Sequence, residues 1–154
     1  MEMSALVDRL ETILKAATGT YLTNALVYWG DTITTENPDA VSTSPLEIRL
    51  KPMPVTEGAR FLGAQGWEAP LTVHIEATLP LTWGTIRIAV LVCEELLGVI
   101  RSNRSITASG YAEAVSMLGD GALKWDYGYG SKGEQGEWVV NLMAVWSGPN
   151  VGPG

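Results

Sequence analysis

The chain has a single histidine, His74, and a single cysteine, Cys93, in 154 residues. One cysteine cannot form an internal disulfide. With so few soft or imidazole ligands, most of the usual parts for metal binding and for His- or Cys-based catalysis are missing. Positive charge is also scarce: ten Lys plus Arg stand against seventeen Asp plus Glu, a formal net charge of -7, and no cationic run concentrates what there is. Tight phosphate binding depends on clustered cations that release counterions, so sequence-independent nucleic-acid binding is disfavoured. An acidic surface lining a passage would instead repel DNA and let it slide without sticking. No apolar run is long enough to span a bilayer. The most apolar stretch, Ile86 to Ile100, is broken by Arg87, Glu94 and Glu95 and falls short of the roughly 20 residues required. Met1-Glu2-Met3-Ser4 lacks the pattern of a secretory signal, so the expected site of synthesis and folding is the cytoplasm, with no membrane partner.

What is present is apolar and aromatic. Hydrophobic residues make up 46% and charged residues 18%, with six tryptophans. That composition belongs to a folded domain, and the length fits one core that buries roughly two thirds of the unfolded surface. The expected organisation is a single α+β domain over 1–148, with a flexible C-terminal tail over 149–154. A chain so supplied is equipped for packing and contact more than for bond-making.

Ser4 can cap a helix whose apolar residues Leu6, Leu10, Ile13, Leu14 and Ala17 recur at helical spacing, with Glu11 and Lys15 as an i,i+4 pair. Leu22 to Trp29 reads as a strand closed by Gly30-Asp31, and the polar stretch to Pro45 as an exposed loop. Leu46, Ile48 and Leu50 alternate with Glu47, Arg49 and Lys51, the period-two pattern of a strand with one dry and one wet face. Leu71, Val73, Ile75, Ala77 and Leu79 repeat the pattern against Thr72, His74, Glu76 and Thr78. Between these strands, Pro52 to Pro70 is too long for an ordinary connection and carries Phe61, Leu62 and Trp67 among its glycines, which marks a contact loop or extended hairpin. Thr82 is a candidate cap for the longest helix, whose seam is Ile86, Ala89, Val90, Cys93, Leu97 and Ile100. Strands follow over Tyr111 to Leu118, Leu123 to Tyr129 and Glu137 to Trp146, an antiparallel meander in its simplest connection. The fold class is α+β, a mostly antiparallel sheet with two helices packed on one face.

Few motifs carry chemistry. Gly128-Tyr129-Gly130-Ser131-Lys132-Gly133 has the spacing of a dinucleotide loop, but it leads into a strand and not a helix, so it reads as a hairpin turn. His74 and Glu76 are neighbours two apart on a strand face, a common arrangement that makes no general base without a partner and a pocket. Cys93 falls on an apolar helix seam. Glu94 and Glu95 diverge by about 100 degrees around a helix and cannot share a metal. Asp126 joins Asp120 only if the hairpin register allows it. No catalytic residue, cofactor or metal is therefore expected. The last strand stands out, because Trp138, Val140, Leu142, Ala144 and Trp146 face one side while Val139, Met143 and Val145 face the other, so both faces need cover. Either the rest of the chain supplies it, or a neighbouring subunit does.

This order of elements, from Leu6 through Trp146, resembles the tail terminator proteins of long-tailed bacteriophages. The resemblance lies in order and pattern. It implies a non-enzymatic virion protein, a homo-oligomeric ring, typically a hexamer, at the head-proximal end of the tail. Such a ring caps the tail tube, stops its polymerisation and joins the tail to a head-completion or connector protein, while DNA passes through without specific binding. The expected subunit or tube contacts are Phe61, Leu62, Trp67, Trp138 and Trp146. The alternatives are another phage neck or tail-tube ring component, or a small α+β enzyme or ligand-binding domain.

Overall fold

The computed structural model describes residues 1–30, 46–53, 70–83, 85–132 and 135–148. Helix α1 (Met3–Ala16) buries Leu6, Val7, Leu10 and Leu14. It begins before the expected cap: Glu2 occupies the N-cap position and makes no side-chain bond there. Strand β1 (Leu26–Trp29) is shorter than the apolar run had indicated, because the residues from Thr20 to Asn24 form a turn in which Asn24 takes a left-handed φ of 66°. Gly30, at φ 92°, ends the strand in a conformation that favours glycine. Strands β2 (Glu47–Pro52) and β3 (Leu71–Thr78) lie where alternation placed them. Helix α2 (Ile86–Arg101) follows a 3-10 turn at Leu81–Trp83, and its cap is Thr85, whose hydroxyl accepts from Ile88 N at 3.3 Å. The turn absorbs Thr82, so the expected cap moves three residues along.

The last third departs most from expectation. Tyr111 to Leu118 contributes only the two-residue strand β5 (Val115–Ser116), which pairs with β4 (Ser105–Ile106) in a separate small sheet. It therefore does not join the meander. Strands β6 (Leu123–Lys132) and β7 (Gln135–Trp146) form one long antiparallel hairpin, which absorbs the glycine-rich stretch into its arms as far as Lys132. Among the described residues the main sheet has five strands in the order β1-β2-β3-β7-β6. Every pairing is antiparallel except β1 with β2.

Register assigns the faces. Val27, Ile48, Ala77 and Val140 are cross-strand partners, as are Leu50, Ile75, Leu142 and Trp125. These residues form the inner face, and both helices cover it: α1 packs on β1 and β2, α2 on β7 and β6. The core is accordingly apolar, with Leu6, Leu10, Ile48, Leu50, Val73, Ile75, Leu96, Ile100, Val140 and Leu142 all 0% exposed. Two polar contacts anchor the helices: Trp29 Nε1 donates to Asp8 Oδ1 of α1 at 3.1 Å, and Trp146 Nε1 donates to the Asn103 carbonyl just past α2 at 3.1 Å. The fold is thus α+β, with a mostly antiparallel sheet that, among the described residues, carries two helices on one face.

Candidate functional site

The other face of the sheet holds a row of polar side chains that runs strand by strand across its width. Tyr28 of β1 is the cross-strand partner of Arg49, Arg49 of Glu76, Glu76 of Asn141, and Asn141 of Asp126. Arg49 lies at the centre of the charges. Its Nη1 meets Glu76 Oε1 at 2.8 Å and its Nη2 stands 3.5 Å from Glu47 Oε2, while Lys51 Nζ takes Glu76 Oε2 at 3.1 Å. Further along the row, His74 Nε2 donates to Asn141 Oδ1 at 2.8 Å and Asn141 Nδ2 donates to Asp126 Oδ1 at 2.9 Å. The amide thus couples a ring nitrogen to a carboxylate.

The face expected to be wet at β2 is not. Arg49 is 2% exposed and Glu47 5%. Two carboxylates and two cations balance formally, which is how such a cluster is tolerated away from water. The Tyr28 hydroxyl at the β1 end of the row is pushed above its ordinary value, first by burial and then by the Glu47 charge, with Arg49 opposing. The row chiefly fixes register: a one-residue slip of β2 on β3 would part Arg49 from Glu76 and turn Arg49 into the apolar layer.

The second feature is the outer edge of the sheet. Trp125, Tyr127 and Tyr129 alternate along β6 on the inner face and remain 46%, 42% and 65% exposed. Arg101, in the last turn of α2, stands 5.2 Å from the centre of the Trp125 ring, and Tyr129 meets Trp138 edge-on at 5.4 Å. Beyond that contact the three rings project past the cover that α2 provides. A groove of about 440 Å³ runs over the same edge, lined by Asp126, Tyr127, Gly128, Tyr129, Val139 and Asn141.

The residues singled out in the sequence fall in different places. Phe61, Leu62 and Trp67 lie outside the described residues. Trp138 is half-buried on the inner face, against Tyr129, and its carbonyl accepts from Leu79 N at 2.9 Å. Trp146 is 0% exposed. A side chain with no accessible surface offers nothing to a partner, so Trp146 is a core residue of the protomer and not a contact. His74 and Glu76 do not pair: one is engaged by Asn141, the other by Arg49 and Lys51. Cys93 is buried on α2, where burial and then the Glu94 charge push its thiol up, away from the reactive thiolate. Glu95 turns from Glu94 and accepts from Tyr21 N at 3.0 Å. Among the described residues no group of His, Cys, Asp and Glu is placed to hold a metal ion. The aromatic edge of β6 was missed as a site, although its every-other-residue spacing is visible in Leu123-Lys124-Trp125-Asp126-Tyr127-Gly128-Tyr129.

No protein-family model and no curated protein matches this chain. Solved structures do match. One, whose name states no activity, aligns over 98% of this chain and 94% of its own, at a TM-score of 0.58 and 20% sequence identity. At that identity the likeness shows the fold alone.

Proposed function

We propose that this chain is a structural assembly protein of the tail-terminator type: copies of it close into a ring, six in the family it resembles, that seats on the last ring of a phage tail tube, ends its growth and presents the opposite surface to a head-completion or connector protein. The chain works by shape, without a bond-making step. One observation supports this reading above the others, the exposed aromatic strip Trp125, Tyr127 and Tyr129 on an edge strand. Aromatic rings concentrated at a protein's surface mark a contact with another protein. The charged groups of the outer face serve the same reading, because Arg49, Lys51, Glu47 and Glu76 are engaged with one another and hold the sheet in register. The net charge of -7 suits a ring through which DNA passes without adhering.

The test is tube growth. Tail-tube subunits from the same phage polymerise with and without this chain, and electron microscopy records tube length and tube ends. The expected result is shorter tubes with one end closed by a ring. Tubes of unchanged length, with the chain left free in solution, would refute the proposal.

A further inference from the structure

We infer that the aromatic ledge of β6 docks head to tail onto the opposite side of a second copy of this chain, with Trp125 and Arg101 meeting Trp29 and Asp8 of that copy. The inference rests on reading the chain as a ring-forming protein and names the contact between neighbours. The exposed aromatic side chains among the described residues are Trp29 at 39%, Trp125 at 46%, Tyr127 at 42% and Tyr129 at 65%. They are not scattered. Trp29 belongs to β1, the first strand in the sheet order, and the other three to β6, the last. Register places all four on the face that carries the helices, since Trp29 pairs with Leu50, Trp125 with Leu142, Tyr127 with Val140 and Tyr129 with Trp138. Strand spacing puts β1 and β6 about 19 Å apart, so the two patches lie on opposite sides of the molecule.

Charge distinguishes the two patches. Arg101 of α2 stands 5.2 Å from the centre of the Trp125 ring, whereas Asp8 of α1 accepts from Trp29 Nε1 at 3.1 Å. Each exposed indole is thus accompanied by a charged residue of the helix above it, and the two charges are opposite in sign. Both charged residues are exposed, and among the described residues neither takes part in an ion pair. Glu11 and Lys15, further along α1, already neutralise each other at 2.8 Å. A ledge paired with a ledge would bring two arginines to one interface, and a Trp29 patch paired with its like would bring two aspartates. The ledge against the Trp29 patch joins opposite charges and covers aromatic surface on both copies. Because the contact uses two different patches, each added copy leaves one of each open, and the series ends by closing on itself. The two rims of such a ring are unlike, as a protein that meets a tube on one side and a connector on the other requires.

Asp8→Lys and Arg101→Glu test the contact in the full chain, with assembly followed by sedimentation velocity. Circular dichroism like the parent's establishes that each variant is folded, and the milder Asp8→Asn and Arg101→Gln, which only remove the charges, should give a smaller loss in the same direction. Either reversal alone sets like charges together and should weaken each contact by about tenfold. Mixed in equal amounts, the two reversed variants should assemble again: the altered α1 side of one meets the altered ledge of the other, and their unaltered sides meet as in the parent. The double variant Asp8→Lys/Arg101→Glu should assemble alone for the same reason. Assembly that ignores both reversals, or that is lost in the single variants and not regained on mixing, would overturn this inference. Capping of tubes by the parent chain decides the proposed function separately and does not depend on these outcomes. Single variants that keep the oligomer but no longer cap tubes would assign the ledge to the tube subunit and overturn the inference too. A parent chain that stays monomeric both free and on the tube would overturn both.

Discussion

Arg49→Met tests whether the row on the outer face is a closed electrostatic unit. Arg49 is 2% exposed, and the carboxylates it serves belong to Glu47, 5% exposed, and Glu76, whose side chain is 14% exposed. Removing one partner of a buried ion pair costs about 3–5 kcal/mol, because the remaining charge is left without compensation. Lys51 keeps its contact with Glu76 and is itself 26% exposed, which puts the expected loss at the lower end, about 3 kcal/mol. For a chain of this size that corresponds to a fall of about 6–12 °C in Tm. The assay is urea and thermal unfolding at one fixed protomer concentration, since assembly adds to apparent stability. The companion variant Glu47→Gln/Arg49→Met/Glu76→Gln removes the buried charges together and should recover most of the loss. A single variant within about 0.5 kcal/mol of the parent, or a triple variant no better than the single, would refute the reasoning.

Three further outcomes follow from the packing. A Cβ on Gly19 would run into the Glu95 carboxylate, so Gly19→Ala should dislodge that group from Tyr21 N and cost about 1–2 kcal/mol in urea unfolding, with a smaller effect when Glu95→Ala is already present. The raised pKa of Tyr28 means that its ionised form is disfavoured in the folded state: below the ordinary value of 10.0 the group contributes no pH dependence, and above it stability falls as pH rises. Tyr28→Phe should therefore reduce the loss of stability seen in the parent above that pH, and identical pH profiles would contradict the assignment. Trp146→Phe removes the donor to the Asn103 carbonyl and leaves a void, an expected loss of about 1–3 kcal/mol with no change in oligomer mass, because the side chain is core and not contact.

Local pattern made much of the fold legible. Alternation in Leu46 to Lys51 and Leu71 to Leu79 identified both strands and which of their residues face inward, and Leu6, Leu10 and Leu14 marked the buried stripe of α1. What local pattern could not carry was pairing between distant segments. Arg49 and Glu76 read as two solvated charges until register sets them side by side, and Asn141 reads as one polar interruption until it bridges His74 and Asp126. Trp138 and Trp146 share one face of β7, yet one packs on the edge strand and the other under α2, a difference that only tertiary structure makes. The helix cap shifted to Thr85 because the intervening residues close a 3-10 turn first. The aromatics of β6 alternate visibly in the sequence, but nothing in that alternation says that β6 is the last strand of the sheet.

The most direct measurement is the mass of the purified chain across a range of concentrations, by sedimentation velocity or mass photometry, alone and with tail tubes. The account predicts a discrete closed species at a whole-number multiple of 16.5 kDa, seen as a ring by electron microscopy. A single species at the protomer mass under every condition, tubes included, would contradict it.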